Sequence, residues 1–84
     1  MSLFQSIINH KINGITADEL LKYASQFQIS ITRKEASQIA NFINGKRVNI
    51  FDERERAQLI GELAKITSNH TAKEVEKLLS SFTK

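Results

Sequence analysis

Two histidines, His10 and His70, and one short carboxylate run, Asp52, Glu53 and Glu55, are the residues of this chain best suited to chemistry. Histidine ligates a metal or moves a proton when a second ligand or an orienting partner stands at fixed spacing. Paired carboxylates divide acid and base work or hold a cation. Neither pattern closes here. The histidines fall in no HExxH, HxH or CxxH arrangement. His70 directly precedes a predicted N-cap, where a solvent-exposed role is expected. The carboxylates open a predicted helix, where acids oppose the positive end of the macrodipole, and Arg54 and Arg56 dilute them.

The loop from Asn44 to Glu55 has the length and terminal glutamate of a calcium loop. Its third and fifth positions are Lys46 and Val48, and Asn49 occupies the sixth, where the turn requires glycine. Calcium binding is not expected there. Three glycines cannot build a GxGxxG or P-loop phosphate cradle. The absence of cysteine removes a disulfide framework, a thiolate metal site and a cysteine nucleophile together. The chain is therefore expected to carry no catalytic residue, no cofactor and no metal, and not to be an enzyme.

Charge gives a more local signal. The net charge is +3, and residues 32–51 hold all of it, with Arg33, Lys34, Lys46 and Arg47 against Glu35 alone. Residues 20–43 also resemble a helix–turn–helix, whose second helix would expose Arg33, Lys34, Ser37, Gln38 and Asn41. The candidate contacts for an anionic partner or nucleic acid are Arg33, Lys34, Gln38, Lys46 and Arg47. Two departures weaken the nucleic-acid reading. Gln28 stands where such a turn favours glycine, and Lys34 stands where the second helix should bury an aliphatic residue. Arg33 and Lys34 also lie about 20 Å from Lys46 and Arg47 at 1.5 Å per helical residue, so one compact patch is not guaranteed.

The elements that would position these residues are written in one grammar. Ser2-x-x-Gln5, Thr16-x-x-Glu19, Thr32-x-x-Glu35 and Thr71-x-x-Glu74 match the capping box, and Asp52-x-x-Glu55 is its aspartate form. Ser25-x-x-Gln28 also matches but lies inside an apolar period, so it is read as a decoy. Apolar residues follow each box at i, i+3 and i+4: Leu20, Leu21 and Ala24; Ala36, Ile39, Ala40 and Ile43; Leu59, Ile60 and Leu63; Val75, Leu78 and Leu79. The first segment repeats the period with Leu3, Phe4, Ile7, Ile8 and Ile12. Asn13-Gly14 and Asn44-Gly45 predict helix ends. Gly61 sits mid-period and predicts close approach of two helices.

Ile29-Ser30-Ile31 and Val48-Asn49-Ile50-Phe51 alternate apolar and polar residues, as extended segments do. Pieces this short predict hydrophobic plugs rather than a paired ribbon. The expected architecture is all-α: a single compact domain over 1–84, of four to five short helices with short extended connectors. The 84 residues, 40% hydrophobic and 25% charged, support one small core and exclude wholesale disorder. No apolar run approaches the ~18 residues of a membrane span, and no signal-peptide pattern opens the chain, so a soluble cytoplasmic protein is expected.

Two stretches, Ile15 to Ala24 and Val48 to Arg56, together with the segment from Ile60 to Thr67, resemble the small YqfT-like proteins of bacilli. The resemblance covers most of the chain and implies a bacterial cytosolic protein with an all-helical fold. It carries over no catalytic or binding residue. Function is accordingly expected to be a non-enzymatic protein–protein interaction or regulatory module, binding a protein partner or itself. The alternative is a nucleic-acid-binding helical module using the basic 32–51 segment. Leu3, Phe4, Ile7 and Ile8, with Leu78, Leu79 and Phe82 from the other end, are the candidate contact seam, unless the terminal helices simply close the core.

Overall fold

The computed structural model describes residues 2–83, with side chains described over 2–81. Five helices follow one another: α1 (Leu3–Asn13), α2 (Ala17–Gln26), α3 (Arg33–Lys46), α4 (Glu53–Ile66) and α5 (Asn69–Thr83). No strand occurs among the described residues, so the fold is all-α.

Capping chemistry sets most of the starts. Thr16 Oγ1 accepts from the Glu19 amide at 3.1 Å, and Glu19 Oε1 accepts from the Thr16 amide at 3.1 Å. Thr32 and Glu35 repeat the exchange at 3.1 and 2.8 Å. Ser2 and Asp52 each accept from the amide three residues on, at 3.1 and 3.0 Å. A cap of this kind contributes about 1 kcal/mol.

The start of α5 differs from expectation. The helix begins at Asn69, and Ser68 Oγ accepts from the Thr71 amide at 3.1 Å. Thr71 therefore sits within the first turn instead of capping it. His70, displaced into the helix by the same shift, places Nε2 2.7 Å from Glu74 Oε1 one turn on. The Ser25 match is a decoy as expected, since it lies inside α2.

The stops are corrected in two places. Helix α3 continues through Asn44 and Gly45, and Arg47, with φ of 54°, takes the left-handed C-cap. Gly14 does end α1, but with φ of −109°, outside the left-handed region. Helix α2 closes on Gln28, with φ of 59°. The Ile29 amide reaches Ala24 O at 2.8 Å and the Gln28 amide reaches Ser25 O at 3.2 Å, which is the Schellman pairing. Gly61 is exposed, and a Cβ built on it would meet nothing within 4 Å, so no helix approaches closely there.

Packing is pairwise. Helix α2 lies on α3, α5 lies on α4, α3 and α4 join the two pairs, and α1 touches α3. The core is Ile15, Ile39, Ile43, Leu59, Leu63 and Ala72, completed by Val48 and Ile50 from the α3–α4 connector. Ile50 is 0% exposed. That connector is a hydrophobic plug, as its alternation predicts. No helix among the described residues is long and apolar enough to cross a membrane.

Candidate interaction groove

Helices α2 and α5 flank the α3–α4 floor without packing on each other. An apolar groove of about 420 Å³ opens between them. Ile39, Ile43, Leu59 and Leu63 form its floor, while Leu20 and Tyr23 of α2 with the C-cap Phe27 line one side and Val75, Leu78 and Leu79 of α5 the other. Ile8 and Ile12 of α1 contribute to the lining, as do Ile29 and Ile31 of the α2–α3 connector. Among the described lining residues Lys11 alone carries a charge, and its Nζ lies 3.5 Å from Glu19 Oε2.

The lining extends onto open surface. Leu3 is 78% exposed, Phe4 60%, Ile7 58% and Phe27 49%. Phe4, Ile8 and Ile12 recur every four residues on α1, so the exposed stripe and the groove lining belong to one helix face. The radius of gyration, 11.8 Å, is that of a compact chain of this length. The accessible surface is nevertheless 5711 Å², against roughly 5,000 Å² for a typical folded chain of this mass.

A polar lattice fixes α1 and the connector beside the groove. Asn9 Nδ2 donates to Asn49 Oδ1 at 2.7 Å, and Asn9 Oδ1 accepts from the Ile50 amide at 3.0 Å. Asn13 Nδ2 donates to Asn9 O and Val48 O, both at 2.8 Å. From α4, Glu55 Oε1 accepts from the Asn49 amide at 3.1 Å and Arg56 Nη1 donates to Ile50 O at 2.9 Å. Driving Val48 and Ile50 inward takes their peptide groups out of water, and these side chains supply the partners a ladder or helix would have given. Glu55 is thereby drawn away from closing its own capping box. Asn13 Oδ1 is buried with no hydrogen-bond partner among the described residues.

The predicted anion contacts are exposed but do not converge. Arg33 Nη2 is 2.8 Å from Asp18 Oδ1 on α2, so part of its charge is already answered. Lys34 and Gln38 share the outer face of α3. Lys46 lies about 120° around the helix from Lys34 at about 100° per residue, and about 18 Å along it. Arg47 follows at the left-handed cap. A second cleft, of about 580 Å³, is lined by Glu53, Arg56, Glu76 and Lys77 among others, with acids and bases in balance. Among the described residues no group of three or more histidine, aspartate or glutamate side chains could hold a metal ion.

Sequence reasoning anticipated Leu3, Phe4 and Ile7 as a contact seam, and Leu78 and Leu79 with them. Leu3, Phe4 and Ile7 are exposed beyond the groove, whereas Ile8, Leu78 and Leu79 are half-buried in its lining. The side chain of Phe82 lies outside the described residues. Phe27, which continues the apolar period of α2, stands half-exposed at the groove. The signal for the asparagine lattice is Asn9 and Asn13, four residues apart along the same flank of α1.

Fold and groove together define a class: a small five-helix protein with an apolar cleft between α2 and α5. The chain belongs to the family described as a protein of unknown function, DUF2624, whose model matches residues 1–83. It is 49% identical over 83 residues to the uncharacterized protein YqfT of Bacillus subtilis strain 168, covering 99% of each chain. That agrees with the resemblance read from the two sequence stretches. No solved structure matches the chain.

Proposed function

We propose that this protein is a non-enzymatic interaction module that works by covering its α2–α5 groove with an apolar surface of a protein. The observation that carries this reading is the continuity of the groove with Phe27 and with the exposed face of α1. Monomeric proteins rarely leave apolar patches of more than a few hundred Å² uncovered, and larger ones mark interaction sites. Aromatic and aliphatic side chains free of charge are what the core of an interface uses. The test is a photo-crosslinking residue placed at Phe27 and, as a control, at Glu53 on the exposed start of α4. In cells, the reading expects a covalent adduct from Phe27 and none from Glu53. Equal labelling from both positions, or none from either, argues against it.

One observation favours a nucleic-acid reading instead. Gln28 adopts the left-handed conformation that a helix–turn–helix requires, which removes one of the two departures from that motif. The other remains, because Lys34 is exposed, and six residues separate α2 from α3 where the motif uses three or four. With Arg33, Lys34, Lys46 and Arg47 spread along α3, we rank this reading second. Binding to a labelled duplex that weakens steeply with salt would reverse the ranking.

A further inference from the structure

We propose that the occupant of the groove is the amino-terminal half of α1 from a second copy of this chain, exchanged reciprocally about a two-fold axis. This rests on the reading of the groove as an interaction surface and adds the identity of what covers it. Two observations select a second copy.

The first is complementarity within one chain. The protein carries both an apolar cleft and an exposed apolar helix edge, Leu3, Phe4 and Ile7. A two-fold interface is self-complementary, so a cleft and an edge on one chain satisfy each other twice when exchanged, and the assembly closes at two copies.

The second is charge. Residues 2–9 hold no charged side chain, in a chain that is 25% charged overall. Among the described residues that line the groove Lys11 is the sole charged one, and Glu19 pairs with it. Burying one surface on the other strands no ion, which is the condition that most often rules out an apolar partner. An acidic or basic partner helix would find nothing complementary in the cleft.

Because the chain has no native cysteine, single cysteines report the geometry cleanly. Ser6→Cys labels the exposed edge of α1, and Gln26→Cys labels the groove end of α2. Both positions are exposed, so neither change disturbs the core. Mixing the two variants under mild oxidation is expected to give the 6–26 disulfide well above the 6–6 and 26–26 products. Adding Phe4→Asp to the first chain is expected to abolish it. In sedimentation equilibrium the unaltered protein is a dimer, and Phe4→Asp weakens association roughly tenfold to a hundredfold, with circular dichroism unchanged. Dominance of the 6–6 product overturns the exchange and replaces it with an α1–α1 contact. A chain that stays monomeric to near-millimolar concentration overturns self-association altogether. The crosslinking from Phe27 described above then decides separately whether the groove serves another protein.

Discussion

The Asn9 side-chain amide donates to Asn49 Oδ1 at 2.7 Å, joining α1 to the α3–α4 connector across 40 residues of sequence. Through its own Oδ1 the same side chain also accepts from the buried Ile50 amide. One residue thus satisfies a backbone group inside the core and orients the helix that bears Leu3, Phe4 and Ile7.

Asn9→Ala removes both partners at once and leaves the Ile50 amide buried without an acceptor. A loss of about 2–3 kcal/mol is expected, within the range for stranding a buried polar group with its hydrogen bonds. Urea denaturation measures it. A loss below about 0.5 kcal/mol, the scatter of ordinary surface changes, would mean that the lattice does not hold the connector.

Gly61→Ala is expected to stabilise the protein by about 0.4–1 kcal/mol. The position is exposed within α4, and an added Cβ meets nothing within 4 Å. Alanine narrows the unfolded ensemble and suits the helix without a packing cost. A thermal melt that moves downward instead would show that glycine is required there.

The two serine and threonine positions that compete for the start of α5 separate cleanly. Ser68→Ala should cost about 1 kcal/mol, because Ser68 Oγ holds the Thr71 amide. Thr71→Ala should change stability by less than about 0.5 kcal/mol, as alanine favours helix interiors. The reverse order in urea midpoints would place the cap at Thr71.

Glu19 gives a pH dependence with a defined sign. Its carboxyl is held below the ordinary value of 4.5, chiefly by the Thr16 amide that donates to it; desolvation opposes this and the nearby Lys11 charge assists. A lowered folded value means the carboxylate's contribution is complete above the unfolded value and fades as pH falls through the folded one. Glu19→Gln keeps an acceptor for the cap without the charge. The stability advantage of the unaltered protein over Glu19→Gln should therefore be complete at pH 7, fade as pH falls below 4.5, and vanish in acid once the folded carboxyl is protonated. An advantage that persists there would exclude ionisation of Glu19 as its source.

The starts of α2 and α3 were legible because a capping box is local: Thr16 and Glu19 need only each other's amides. The start of α5 was not, since Ser68-x-x-Thr71 and Thr71-x-x-Glu74 overlap and the glutamate favoured the wrong frame. Asn44-Gly45 suggested the end of α3, but left-handed backbone is needed two residues later, at Arg47, where the chain turns to insert Val48. The stripes identified which side chains leave water without saying what covers them. Leu78 and Leu79 read the same whether they meet α2 or a groove. The separation of α2 from α5 is set by how each packs on a different central helix, and no short-range pattern carries that information.

Tyr23 is the only tyrosine in a chain without tryptophan, and it lines the groove. Its emission therefore reports on groove cover with no labelling at all. The most direct measurement is quenching of Tyr23 by acrylamide over a dilution series from near-millimolar to low micromolar protein. With the groove covered by a second copy, quenching should rise on dilution for the unaltered chain and be high at every concentration for Phe4→Asp. Quenching that is equal in both proteins and independent of concentration would contradict this account.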